Sequence, residues 1–257
     1  MNYVIRPIRV GGFVEFEKSI FLMGVDPGTK IACPCVAWLI EGANGEKVLL
    51  DTGPHATEFP TARLHAGYGV LERADGERID QALLAHGVDP AEIETVIFSH
   101  LHWDHCHNAA YLPNAEFYVQ DKELKYAINP IPWHRGSFES GIPEFQPPWF
   151  DIFDRLKVVD GDVEILPGLI YVLLPGHTPG SAGISVQTAK GSYIIAGDMI
   201  PLMENWEGSS TRRHIPSSLV TNIFEYFESF GKIERLAEKV LPSHDARAFD
   251  FSTWGGH

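Results

Sequence analysis

The sequence predicts an α/β layered fold, and three observations carry that expectation. Apolar runs of strand length alternate with a few amphipathic stretches, so that strand, helix and strand follow one another. Each half of the chain repeats mixed strands followed by a helix, with no low-complexity linker between the halves, which points to one pseudo-duplicated domain over residues 1–257. Four apolar runs end in Gly, Ser or Pro followed at once by a potential ligand: His100, His177, Asp198 and His244.

Taken in order, residues 3–9 read as a strand, and a second short strand follows Gly11-Gly12 near residues 13–16. Residues 36–40 and 47–50 form a hairpin, because 42–45 supplies turn residues between two apolar runs. The second run ends in Asp51-Thr52-Gly53. Asp51 is either the former of a local turn or a hydrogen-bond partner for a metal-binding histidine. Residues 79–86 make a short amphipathic helix closed by Gly87, and Asp89-Pro90 opens a capped turn. Residues 95–98 then read as a buried strand.

Directly after that strand stands Ser99-His100-Leu101-His102-Trp103-Asp104-His105. A strand would send alternate side chains to opposite faces and a helix would fan them around its axis, so only a tight loop aims these groups at one place. Neutral imidazoles and a carboxylate suit a borderline divalent cation such as zinc. Further on, residues 117–119 predict a strand and 121–128 a helix with Asp121 as its cap. Residues 129–150 carry five prolines and several aromatics without periodicity, as expected of a lid over a site. Trp133, Phe145 and Trp149 of that segment, with Trp103 and Trp206, are candidate walls of a substrate pocket. Strands follow at 156–159, 163–166, 170–174, 183–187 and 192–196, then a long helix over 218–239 with Leu219, Ile223, Phe227, Phe230, Ile233 and Leu236 as its apolar stripe.

Composition narrows the function. A chain of 257 residues with 44% apolar content buries a core without disulfides. Its three cysteines, Cys33, Cys35 and Cys106, suit a reducing compartment. Residues 1–10 lack the apolar core of an export signal, so a cytoplasmic location is expected. The net charge of -14 excludes a nucleic-acid backbone as partner and disfavours an anionic membrane. A small, weakly charged molecule remains the expected substrate; pairing into a homodimer stays open. Cys33-Pro34-Cys35 lacks the spacing of a redox or zinc motif and reads as structural, and Cys106 as a buried small hydrophobe. His55, His65, His86, His107, His134 and His214 have no motif context.

Seven candidate ligands, His100, His102, Asp104, His105, His177, Asp198 and His244, are too many for one tetrahedral zinc. Two divalent ions about 3.5–4 Å apart, sharing one carboxylate, would use them all and leave room for a bridging water. The His-x-His-x-Asp-His run, with His177 in Pro-Gly-His-Thr-Pro-Gly, Asp198 in Ala-Gly-Asp, His244 in Pro-Ser-His and Asp51 in Leu-Asp-Thr-Gly, resembles the ordered motifs of the metallo-β-lactamase superfamily. Within it the chain is most similar to the N-acyl homoserine lactone lactonases and related small-lactone hydrolases. The resemblance implies a four-layer αβ/βα sandwich with metals at one edge. It also implies one ion on His100, His102 and His177 and the other on Asp104, His105 and His244, with Asp198 bridging. Zinc is the expected ion, with manganese, iron or cobalt as alternatives. In place of the tyrosine that the lactonase group carries three residues after the bridging aspartate, this chain has Pro201.

The expected chemistry is hydrolysis of a small lactone by hydroxide held between the metals, with the Asp104 carboxylate passing the proton to the departing alcohol. A thioester or activated amide hydrolase with the same metals, and a metal-containing binding protein without turnover, are the alternatives.

Overall fold

The computed structural model describes residues 2–58, 67 and 69–256; His65 lies outside them. Among the described residues twelve strands run in chain order: β1 Tyr3–Glu17, β2 Lys30–Gly42, β3 Lys47–Leu50, β4 Leu71–Glu72, β5 Thr95–Ile97 and β6 Glu116–Gln120, then β7 Leu156–Val159, β8 Val163–Leu166, β9 Leu169–Leu173, β10 Ala182–Thr188, β11 Gly191–Ile195 and β12 Lys239–Leu241. The path across the sheet is β12-β11-β10-β1-β2-β3-β5-β6-β7, with β9 also pairing β10. The predicted hairpin is present, with Trp38 opposite Leu50 and Ile40 opposite Val48.

Period-two alternation explains the layers. Along β2, Cys33, Cys35, Ala37 and Leu39 enter one apolar core while Val36, Trp38 and Ile40 enter a second. Along β11, Tyr193 and Ile195 face the second core and Ile194 a third. The first core is covered by the helices Ile79–Ala85 and Asp121–Ile128, the third by the helix Ile223–Leu236. The order is therefore helix, sheet, sheet, helix, the four-layer sandwich expected from the sequence.

Three local expectations are corrected. β1 is one strand where two were expected, because its pairing with β2 continues past Gly11-Gly12 through register shifts. Such bulges bend a strand without ending it. Asp121 is the first helical residue and Gln120 the cap; the Asp121 carboxylate instead accepts from Lys125 at 2.6 Å. The last long helix starts at Ile223, where the Asn222 side chain accepts from the backbone N–H groups of Phe224 and Glu225. The residues before it are strapped to another loop, since Thr221 and Asn222 N–H donate to the Gly176 carbonyl. Its inner face is Tyr226, Phe230 and Ile233, while Phe227 is half exposed.

Parallel pairing sends strand ends to shared edges. Leu50 pairs with Ile97 in parallel β3 and β5, and Ile195 with Leu241 in parallel β11 and β12. Asp51 and His100 thus leave neighbouring strand ends together, as do Asp198 and His244. No helix among the described residues is long and apolar enough to cross a membrane.

Candidate metal centre

The structure brings all seven predicted ligands together in two trios joined by Asp198. In the first, His177 Nε2 lies 3.3 Å from His100 Nε2 and 3.2 Å from His102 Nδ1. Asp198 Oδ2 faces this group, 3.7 Å from His177 Nε2 and 4.0 Å from His100 Nε2. In the second, His105 Nε2 and His244 Nε2 are 3.4 Å apart and each 3.2 Å from Asp198 Oδ1. Asp104 Oδ2 completes it at 3.8 and 3.7 Å from those nitrogens. Donors about 2.0–2.1 Å from a tetrahedral zinc stand about 3.3–3.4 Å from one another, so both groups have nearly the dimensions of an ion's ligand set.

The outer ring atoms fix which nitrogens point inward. His177 Nδ1 donates to the Leu219 carbonyl at 2.7 Å, and His244 Nδ1 to the Pro34 carbonyl at 3.0 Å. His105 Nδ1 donates to Asp51 Oδ2 at 2.8 Å, and Ser99 Oγ lies 3.0 Å from His100 Nδ1. A carbonyl or carboxylate at Nδ1 requires the proton there, which leaves Nε2 a bare lone pair. The Nε2 lone pairs of His105 and His244 therefore face each other and Asp198 Oδ1. Acceptors packed this closely repel unless positive charge lies between them, and either a proton on His105 or a cation supplies it.

Electrostatics says the same. Burial holds His100 and His102 well below the usual imidazole value and lowers His177, keeping them neutral as ligands must be. At His105 burial opposes protonation, yet Asp198, Asp104 and Asp51 outweigh it and raise its pKa well above the usual value. Burial alone would raise Asp198, but the His105 and His244 rings hold it well below the carboxylate range. The acidic side of the cluster attracts a positive charge.

Supporting groups not singled out in the sequence complete the frame. Glu123, buried at the start of its helix, accepts from Leu101 N–H at 2.9 Å, Thr178 Oγ1 at 2.5 Å and Gly180 N–H at 3.2 Å. One carboxylate thus ties the His100–His102 loop to the loop after His177. Ser243 Oγ donates to Asp198 Oδ1 at 2.6 Å. Both serines directly precede a ligand, a signal that was available; Glu123 and the carbonyls of Pro34 and Leu219 carried none.

The cleft over the two trios is walled by Phe13, Phe16, Phe21, Trp103 and Leu219, with Ser137 as a polar group. Of the expected pocket aromatics only Trp103 is there. Trp133 is 80% exposed, Trp149 belongs to the first core, and Phe145 does not line the cleft. Trp206 packs elsewhere, stacked on His214 at 4.4 Å. The aromatic wall comes instead from β1 and the turn after it, which the bulges bend over the site. From residues 129–150, Phe138 is buried with its ring 4.6 Å from that of His102, so this segment buttresses the first trio. Cys106 is buried as expected, its thiol donating to the Leu101 and His102 carbonyls.

The sequence model of the metallo-beta-lactamase superfamily matches residues 31–245. The chain belongs to that superfamily. Among superfamily relatives, the N-acyl homoserine lactonase AiiA of Bacillus thuringiensis subsp. kurstaki is 28% identical over 204 residues, 76% of either chain. N-acyl homoserine lactonase AttM of Azorhizobium caulinodans is 28% identical over 255 residues, 93% of this chain and 92% of that one. The solved structure of an N-acyl homoserine lactone hydrolase with N-hexanoyl-L-homoserine at its catalytic metal center superposes with TM-score 0.77 at 21% identity, covering 96% of this chain and 95% of that one. AidC, described as a dizinc quorum-quenching lactonase, gives TM-score 0.68 at 17% identity over 95% of this chain and 88% of its own. These superfamily structures share the sandwich described above.

Proposed function

We propose that this superfamily member is a dinuclear metal-dependent hydrolase that opens a small lactone. The observation that carries the reading is Asp198, whose two oxygens address different trios of inward-facing donors. That is the arrangement of a bridging carboxylate between two ions. The named activities of the lactonase relatives and the dizinc description of AidC support lactones as substrate and zinc as metal. One domain over the whole chain is supported by β2, which feeds two of the three cores.

Two divalent ions, when bound, supply a water acidified to a pKa of about 7 and polarise an ester carbonyl. The chain's own residues do the rest. Asp104 turns Oδ2 to the second trio and lines the cleft, so its other oxygen can carry the proton to the ring oxygen as the acyl C–O bond breaks. Phe13, Phe16, Phe21 and Trp103 exclude bulk water and hold the apolar part of the substrate. Among the described residues no lysine or arginine lines the cleft, so an anionic thioester finds no counter-charge from them and a neutral lactone is favoured.

The test is a panel of neutral lactones run beside thioesters with the metal-loaded protein. Ring opening of at least one lactone, lost on stripping the metal and in His105→Ala, is the expected result. Failure to open any lactone would overturn the reading.

A further inference from the structure

The second trio has a neighbour that the ligand pattern does not use. One ligand atom each of Cys35, Asp104 and His244 lie within 4.8 Å of one another. Cys35 is 1% exposed and sits on β2 one residue past Pro34, whose carbonyl holds His244 Nδ1. The same short piece of strand therefore orients the histidine and presents a sulfur beside it. Resting on the dinuclear reading above, we propose that the Cys35 sulfur is a further donor to the cation held by Asp104, His105 and His244.

On a tetrahedral ion a sulfur at about 2.3 Å stands about 3.5–3.6 Å from a nitrogen or oxygen at about 2.0–2.1 Å, so the trio has to close inward to share one ion. Burial keeps the thiol protonated in the absence of a cation. On coordination the S–H bond breaks, a metal–sulfur bond forms and one proton is released to solvent, with no change of oxidation state. The neighbouring thiols are distinguishable. Cys33, on the same face of the strand, is not in the trio, and Cys106 donates to two backbone carbonyls. A thiolate donor biases the second position toward zinc or cobalt and away from manganese.

The experiment is cobalt(II) reconstitution of the full chain, followed by absorption spectroscopy and titration of bound metal. The expected result is a sulfur-to-cobalt charge-transfer band that grows as cobalt fills the site of Asp104, His105 and His244. It persists in Cys33→Ala and disappears in Cys35→Ala and Cys35→Ser, with one of the two equivalents bound about 10- to 100-fold more weakly in both. Metal binding should also release one proton fewer in either Cys35 variant. Two bound cobalt ions without such a band, or a band that survives Cys35→Ala, would overturn the assignment and leave the dinuclear centre standing. A chain that binds no cobalt would overturn both.

Discussion

Asp51 is held at φ 63°, a left-handed conformation that costs a non-glycine residue about 1–3 kcal/mol. Three donors fix it there: Ser99 N–H at 2.7 Å, Ser99 Oγ at 2.7 Å and His105 Nδ1 at 2.8 Å. Asp51→Ala should therefore weaken the second metal about 10- to 100-fold, read by competition with a chelator, with the fold intact. If Asp104 carries the proton as proposed, Asp104→Asn removes that carrier and a charged donor together, so turnover should fall by about 10²–10⁴, read on any lactone the native chain opens. Glu123 predicts a pH dependence. Burial outweighs its three hydrogen bonds and pushes the carboxyl up to about 7, against 4.5 when unfolded. Between those values the folded chain binds more protons, so stability falls as pH rises from about 4.5 to about 7. In denaturant titrations of metal-free protein, Glu123→Gln should flatten that slope; an unchanged slope would contradict it. At this scale the seven clustered residues were legible, because His and Asp after apolar runs are rare and chemically pointed. The groups orienting them were mostly not. Pro34 and Leu219 act through carbonyls that every residue has, and Glu123 sits where helices often place an acid.

At the scale of elements, the loops after β5 and β9 are assembled against the helix that begins at Asp121. Gly180 marks the contact, since a Cβ there would strike the backbone of Glu123. Gly180→Ala should cost about 1–3 kcal/mol, read as a lower denaturation midpoint, and should weaken the first ion more than the second. Strands were read well where apolar runs are bounded by Gly, Pro or Asp, as in β7 and β8, whose limits match the expected ones. The errors fall where tertiary contacts override local pattern. Gly11-Gly12 looks like a break, yet long-range pairing with β2 carries the strand through it. Leu219 fits a helical stripe, but its backbone is drawn out to meet His177.

For the whole molecule, two ions would clamp ends of strands that are distant in sequence, with Asp51, the 99–105 loop, His177, Asp198 and His244 all meeting at one edge. Chelation should then lower the melting temperature. A ligand at 100 times its dissociation constant contributes about 2.7 kcal/mol, which in a chain of this size is about 5–10 °C per ion. The layered class and the edge location followed from the order of strands and ligands. The aromatic wall of the cleft did not, because it depends on where the register shifts in β1 place Phe13 and Phe16 relative to the two trios. The most direct test of the central claim is elemental analysis of the purified chain after loading and removal of loose metal. The bridging role of Asp198 requires two divalent ions per chain, with the second lost in His105→Ala. One ion or none in the native chain would contradict it.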